Sequence, residues 1–303
     1  MNLPSKVMVR EVGPRDGLQL EQKILSTEDK IYFLSQLSNA GLKAVEATSF
    51  VNPRAVPQHH DAEAVVRGAK LADDKVRISA LIANLTGLER ALAADVREVN
   101  VAVSASELHN LKNVNMTVEQ SLGQLRAICR HAENKISIRA SISMVFGCPY
   151  QGETELSMIM RILEEYLTNG ITDIALCDTA GFANPRQVFN LVEKLRAHYP
   201  LARFALHMHD TRGMGLTNIF AGLQAGIDSF ESSLGGLGGC PFIPGASGNV
   251  PTEDMVFMFD EMGISTGINF GNLVLLGRWL EGKLAKRLPG RMLHENVCRF
   301  REE

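Results

Sequence analysis

The sequence predicts an α/β fold in which eight parallel strands, each followed by a helix, close into a barrel. Eight short apolar runs recur along the chain, with segments of helical period between them. The length of 303 residues suits a (β/α)8, or TIM, barrel of ~250 residues with a C-terminal helical extension. The polar residues cluster where the runs end, the face on which such a barrel keeps its chemistry.

The predicted strands are residues 7–12, 44–50, 76–83, 98–104, 137–146, 173–177, 203–209 and 229–234. Between the first two, Ser26-Thr27-Glu28-Asp29 resembles a capping box opening a helix through Leu37. Residues 117–132 form a second helical segment, opened by Thr117-Val118-Glu119-Gln120. A third follows Asn184-Pro185, where Asn caps and Pro fills the first turn. The barrel is assigned to residues 1–265, and an extension carrying an amphipathic helix over 273–284 to residues 266–303. A doubly wound open sheet is the alternative, but Gly13-Pro14-Arg15-Asp16-Gly17 is no dinucleotide fingerprint.

With 45% hydrophobic and 21% charged residues the chain reads as a globular enzyme. A net charge of -3 without a basic run gives no reason to expect a nucleic-acid partner. No apolar run has membrane-spanning length, and Met1-Asn2-Leu3-Pro4-Ser5-Lys6 lacks the core of a signal peptide. The five cysteines are scattered, with no C-x-x-C pair. A reduced, cytoplasmic setting is therefore expected, without disulfides or a structural zinc.

His207-Met208-His209 closes the seventh run. Side chains two apart on a strand share a face, so both imidazoles can meet one ion. Asp16, at the end of the first strand, adds a carboxylate, and the O/N set suits Mg²⁺ or Mn²⁺, or else Co²⁺ or Zn²⁺. Asp210 faces away and is assigned to turn or helix capping. Glu11, Glu46 and Arg139 are charges within apolar strands, which need pairing; each alone reads as an internal salt bridge, and together they suggest a polar pocket. The other strand ends offer Ser49, Ser141, Asp178 and Thr179. Residues 235–249 hold six glycines in fifteen positions around Cys240, the pattern of a lid or binding loop. Cys148 is the only rival thiol. His59 and His60 read as a solvated loop, and His109, His131, His198 and His294 as surface residues.

On these motifs the chain resembles the 3-hydroxy-3-methylglutaryl-CoA lyase family of metal-dependent aldol and Claisen barrels. The matching stretches are Glu-Val-Gly-Pro-Arg-Asp-Gly-Leu-Gln (11–19), Glu46-Ala-Thr-Ser-Phe-Val, Val56-Pro-Gln, Ser104-Ala-Ser-Glu-Leu and Lys112-Asn-Val-Asn. Further on they are Phe146-Gly-Cys-Pro-Tyr-Gln-Gly, Asp178-Thr-Ala-Gly, His207-Met-His-Asp-Thr, Gly236-Leu-Gly-Gly-Cys-Pro and Gly245-Ala-Ser-Gly-Asn. The resemblance implies that Asp16, His207, His209 and Asn249 hold a divalent ion, Mg²⁺ or Mn²⁺. It implies that Glu46 orients the site, that Arg15 binds the thioester carbonyl, and that Cys240 enters on the glycine loop. It further implies an acyl-CoA substrate, a homodimer and a place in leucine degradation.

The chemistry so implied is cleavage of 3-hydroxy-3-methylglutaryl-CoA to acetyl-CoA and acetoacetate. Asp16 or His207 takes the hydroxyl proton, Arg15 faces the enolate, and Cys240 protonates it. The candidate substrate-facing residues are Arg15, Ser49, Arg139, Ser141, Asp178, Thr179 and Arg212. Arg212 and Met214 stand where the family usually has Tyr and Gln. Ala140-Ser141 replaces its frequent glycine and aromatic. The acyl group is therefore less determined than the reaction, and Arg212 reads equally as a partner for an extra carboxylate or as a solvated residue. A lyase for another branched 3-hydroxyacyl-CoA, such as citramalyl-CoA, is the first alternative. An isopropylmalate-type synthase is less favoured, since those enzymes usually carry a regulatory region and lack the Gly-Gly-Cys-Pro loop. A catalytically dead binding barrel is disfavoured by the intact polar set.

Overall fold

The computed structural model describes residues 3–72, 76–133, 135–239 and 248–295. Its strands are β1 (Met8–Glu11), β2 (Ala44–Ser49), β3 (Arg77–Leu81), β4 (Glu98–Ser104), β5 (Ser137–Ser143), β6 (Asp173–Cys177), β7 (Arg203–His207) and β8 (Ser229–Ser232). They form one closed parallel barrel in chain order. β1 pairs with both β2 and β8, with Arg10 opposite Ala44 and Glu231. Closure therefore brings the first and last strand ends side by side.

The helices are α1 (Thr27–Asn39), α2 (Ala62–Ala72), α3 (Leu85–Ala93), α4 (Glu107–Val114), α5 (Val118–Ala132), α6 (Leu156–Thr168), α7 (Pro185–His198), α8 (Gly215–Gln224), α9 (Thr252–Glu261) and α10 (Phe270–Leu284). Their starts follow the expected chemistry. Ser26 accepts from Asp29 N, and Thr117–Gln120 and Asn184–Gln187 form complete capping boxes. Pro185 occupies the first turn of α7. α10 begins at Phe270, three residues before the expected 273, because Asn269 caps it by accepting from Asn272 N. Its Leu273 and Leu280 are fully buried, and Trp279 lies 4.8 Å, ring to ring, from Tyr32 of α1. Among the described residues no helix is long and apolar enough to cross a membrane.

Period-two alternation divides the strands between two environments. Val99, Val101, Ala140, Ile142, Ile174, Leu176, Phe204, Leu206 and Phe230 join the apolar layer beneath the helices. The alternate positions are polar and equally buried: Arg10, Glu46, Ser79, Glu98, Asn100, Arg139, Ser141 and Glu231. Opposite charges among them pair. Arg10 Nη1 meets Glu98 Oε1 at 2.8 Å and donates to Ser79 Oγ at 3.0 Å, and Arg139 Nη2 meets Glu231 Oε1 at 2.5 Å. Apolar side chains usually fill such an interior; here it is largely ionic, and its upper layer merges with the site.

Several strands are shorter than expected at their C-terminal ends. β7 stops at His207, and His209 instead forms an isolated antiparallel bridge with Asn249. β5 stops at Ser143 and β8 at Ser232. The apolar lettering continues beyond these points, but the chain has passed the rim of the barrel and no neighbouring strand remains to pair with.

Candidate active site

Beyond β1 the chain turns tightly through Gly13–Gly17, where Val12 O accepts from the N–H groups of Arg15, Asp16 and Gly17. A side chain at Gly17 would sit 2.7 Å from Ser233 Oγ, so a glycine allows this turn to press against the segment after β8. The turn holds Arg15 and Asp16 over the mouth of the barrel. Arg15 donates through Nε to Glu46 Oε2 at 2.5 Å and pairs through Nη1 with Asp16 Oδ1 at 2.5 Å. Glu46 Oε1 accepts from Asn100 Nδ2 at 3.0 Å. Asp16 also accepts from Gln19 Nε2 at 3.0 Å and from Asn249 Nδ2 at 2.8 Å.

His207 Nδ1 is 2.9 Å from Glu231 Oε2, a carboxylate that can only accept. In the neutral ring the proton therefore sits on Nδ1, and Nε2 is left facing Asp16 Oδ2 at 3.9 Å. The His207 and His209 rings lie 5.4 Å apart. Asn249 is drawn beside them by main-chain bonds: Val250 N donates to Met208 O at 3.1 Å and Asp210 N to Gly248 O at 3.2 Å. Asp210 performs the capping expected of it, accepting from Gly215 N at 2.7 Å.

Burial opposes ionisation of Asp16, but Arg15 and then the two histidines outweigh it and hold the carboxyl down at about 2. His209 is pushed down to about 4 by burial and by His207, so it is neutral at neutral pH. Burial also pulls on His207, but Glu231 and Asp16 overcome it and its pKa is raised. Ligand atoms of Asp16, His207 and His209 all lie within 4.8 Å of one another. Among the described residues, His209 Nδ1 and Asn249 Oδ1 are buried without a hydrogen-bond partner. Buried polar atoms rarely go unpaired. An ionised carboxylate, two imidazoles and an amide oxygen are a donor set for a divalent cation. The residues fit such an ion.

A cavity of about 470 Å³ opens over this cluster. Arg15, Asp16, Ser49, Ser141, Thr179, His207, His209 and Glu231 line it, and it runs past the ends of β2 to β4 to His109, Asn113 and Gln124 on α4 and α5. Three expected substrate contacts do not line it. Arg139 is spent on Glu231 inside the barrel, because a cation there needs a carboxylate. Asp178 accepts from Phe182 N and Ala183 N, capping the turn after β6. Arg212 stacks over the Phe182 ring, 4.1 Å from its centroid. Cys240 and most of its glycine loop lie outside the described residues. Cys148 is buried away from the cavity, its Sγ accepting from Ser106 Oγ at 3.0 Å.

Two histidines expected at the surface are buried. His59 Nε2 is 3.0 Å from Arg15 O, and His109 Nδ1 is 3.0 Å from Ser104 Oγ. Arg15 is 44 residues from His59 in the chain, a pairing that periodicity does not reveal. Glu11 has no cation partner among the described residues, where a salt bridge was expected. It accepts from Gly13 N, Leu234 N and Thr252 Oγ1 at 2.7, 2.9 and 2.6 Å. Glu231 and Asn100 were not singled out from sequence. The signal for Glu231 was weak: it is a charge within the predicted strand 229–234, but its neighbours Ser229 and Ser232 are themselves polar.

Fold and site together define a class: a barrel protein whose ionic interior opens at the C-terminal mouth onto a donor set for a divalent cation. The HMGL-like family model matches residues 6–279, over nearly all of this barrel. The chain belongs to the HMGL-like family. It is 44% identical over 294 residues to hydroxymethylglutaryl-CoA lyase YngG of Bacillus subtilis, covering 97% of this chain and 98% of that protein. It is 40% identical over 279 residues to the human mitochondrial hydroxymethylglutaryl-CoA lyase, covering 92% and 86%. Among solved structures, an HMG-CoA lyase of Acinetobacter baumannii in complex with coenzyme A and 3-methylmalate superposes with a TM-score of 0.94 at 39% identity, covering 99% of this chain and 98% of that one.

Proposed function

We propose that this chain is a hydroxymethylglutaryl-CoA lyase, cleaving 3-hydroxy-3-methylglutaryl-CoA to acetyl-CoA and acetoacetate. The observation that carries the reading is the placement of Arg15 against the Asp16–His207–His209 cluster in one cavity, within a chain similar to such lyases along almost its whole length.

Asp16, His207, His209 and Asn249 would hold a divalent ion, Mg²⁺ or Mn²⁺, whose charge lowers the pKa of the substrate's tertiary hydroxyl. Of the two candidate bases, a His207 that turns Nε2 to an ion has no free nitrogen, since Nδ1 is bonded to Glu231. The hydroxyl proton therefore passes to the Asp16 carboxylate. The bond between C2 and C3 breaks, C3 becomes the ketone of acetoacetate, and the electron pair stays on C2 as a thioester enolate. Arg15, kept charged and oriented by Glu46 and Asp16, stabilises the enolate oxygen, where negative charge develops. The Cys240 thiol gives its proton to C2 and releases acetyl-CoA. Solvent then exchanges the proton on Asp16 for the one missing from Cys240. Ser49, Ser141 and Thr179 line the cavity and contact the acyl portion.

The functional unit is residues 1–265 with the extension 266–303, of which 296–303 lie outside the described residues, working as a homodimer in the cytoplasm on leucine-derived substrate. The reducing setting rests on Cys129, Cys148 and Cys177 being free thiols. Arg212 is held over Phe182 outside the cavity lining.

The test is a panel of 3-hydroxyacyl-CoA thioesters, including the methylglutaryl and citramalyl esters, offered to the Mn²⁺- or Mg²⁺-loaded protein while acetyl-CoA is followed. Turnover led by the methylglutaryl ester and abolished by chelation is expected. Turnover of citramalyl-CoA alone would replace the substrate, and full activity after chelation would remove the ion.

A further inference from the structure

The reaction leaves one buried pair beside the donor set without a task. Glu231 of β8 and Arg139 of β5 are 3% and 2% exposed. Glu231 divides its two oxygens: Oε2 toward His207 Nδ1 at 2.9 Å, Oε1 toward Arg139 Nη2 at 2.5 Å. His207 and Glu231 are also register partners on paired strands, so the main chain holds them abreast. A buried carboxylate is costly without a cation, and Arg139 provides one. A neutral imidazole carries a single N–H and takes whichever tautomer its surroundings select. Facing an acceptor-only carboxylate, that proton must sit on Nδ1, leaving the Nε2 lone pair toward Asp16.

We propose that Glu231 and Arg139 are positioning residues for the cation site: Glu231 sets the tautomer and orientation of His207, and Arg139 fixes which face Glu231 shows it. Partners of this kind typically change metal affinity 10- to 100-fold. The inference rests on the ion reading of the site and adds to it the two residues that keep a nitrogen lone pair available there.

The geometry makes an unusual demand of Glu231→Gln. Arg139 has only donors and so attracts the amide oxygen, which turns the amide NH2 toward His207 Nδ1. The imidazole then shifts its proton to Nε2 and loses the lone pair. Mn²⁺ binding, followed by the electron paramagnetic resonance of free Mn²⁺, is expected to weaken at least 10-fold in this variant. Adding Arg139→Met frees the amide to rotate, so the double variant is expected to bind Mn²⁺ more tightly than Glu231→Gln alone. A mere filler of the barrel interior would show the reverse order, each loss adding to the last.

Wild-type affinity in Glu231→Gln, or a double variant no better than the single, would overturn the proposal. ¹⁵N resonances of His207 in the ion-free wild-type chain, above its imidazolium titration, need no variant to fold. They should show the Nδ1–H tautomer, and Nε2–H would overturn it. A wild-type chain that binds no Mn²⁺ but has Nδ1–H on His207 would instead remove the ion reading on which this rests.

Discussion

Arg15 is the residue on which the proposed chemistry turns, and its surroundings show why. Two carboxylates flank its guanidinium, and His59 holds its main-chain oxygen. Its orientation is thus set before substrate arrives, and a preorganised donor is worth most where charge develops. Arg15→Gln should lower kcat by roughly 100- to 1,000-fold, with a smaller change in KM. Steady-state kinetics would check the split, and an equal loss confined to KM would assign Arg15 to binding alone. Asn249 presents the complementary case of a buried amide oxygen without a partner among the described residues. Asn249→Ala should weaken Mn²⁺ binding in calorimetry, while Asn249→Asp retains it. Asp16, His207 and His209 were legible in the sequence because each stands at or just beyond a strand end, whereas Asn249 and the role of Arg15 came only from the family resemblance. Glu231 is not singled out by the sequence and His59 reads there as a solvated loop residue, since their importance lies in which group each one faces in the folded chain.

Among the elements, the tight turns around the mouth do the positioning. Gly238, at φ +102°, lies in the left-handed region that favours glycine. A Cβ there would stand 2.6 Å from Asn249 Nδ2. Gly238→Ala should therefore shift the Asn249 amide and weaken cation binding several-fold with little change in secondary structure, as titration and circular dichroism would show. The caps of α5 and α7 were readable because a capping box is a local exchange of hydrogen bonds. The ends of β5, β7 and β8 were not, since a strand stops where its neighbour stops, and no local pattern carries that information. Glu11 belongs to the same level: one carboxylate ties the end of β1, the start of the segment after β8 and the start of α9.

Taken as a whole, the molecule stores buried carboxylates of both kinds. Burial pushes Glu11 up to about 7 and Glu253 up to about 8. For each, the folded chain holds a proton that the unfolded chain has already lost above its ordinary value of 4.5. Stability should then fall as pH rises from about 5 to about 8, by a few kcal/mol in all, where the folded state binds more protons than the unfolded one. Asp16 has the opposite sign: held at about 2 against an ordinary 3.8, its contribution is present above pH 4 and lost as pH falls through 2. Thermal unfolding followed from pH 5 to 8.5 should show a declining midpoint, and Glu253→Gln should flatten the decline. An unchanged slope in that variant would assign the pH dependence elsewhere. Saturating Mn²⁺ should raise the midpoint, because an ion that binds only the folded donor set stabilises it by mass action.

By itself the sequence determined the (β/α)8 order, the helix starts, the strand-end polar set and the resemblance that named its chemistry. All but the resemblance depend on near-neighbour physics: side-chain period, capping hydrogen bonds and the desolvation cost that makes a charge in an apolar strand conspicuous. Only the tertiary structure decided what those charges meet. It sent Arg139 to Glu231 and not to the cavity, laid Arg212 on Phe182, and gave Glu11 three donors in place of a cation. Burial raises the cost of an unpaired charge and narrows its acceptable partners to groups a few ångströms away. Barrel closure alone decides which groups those are.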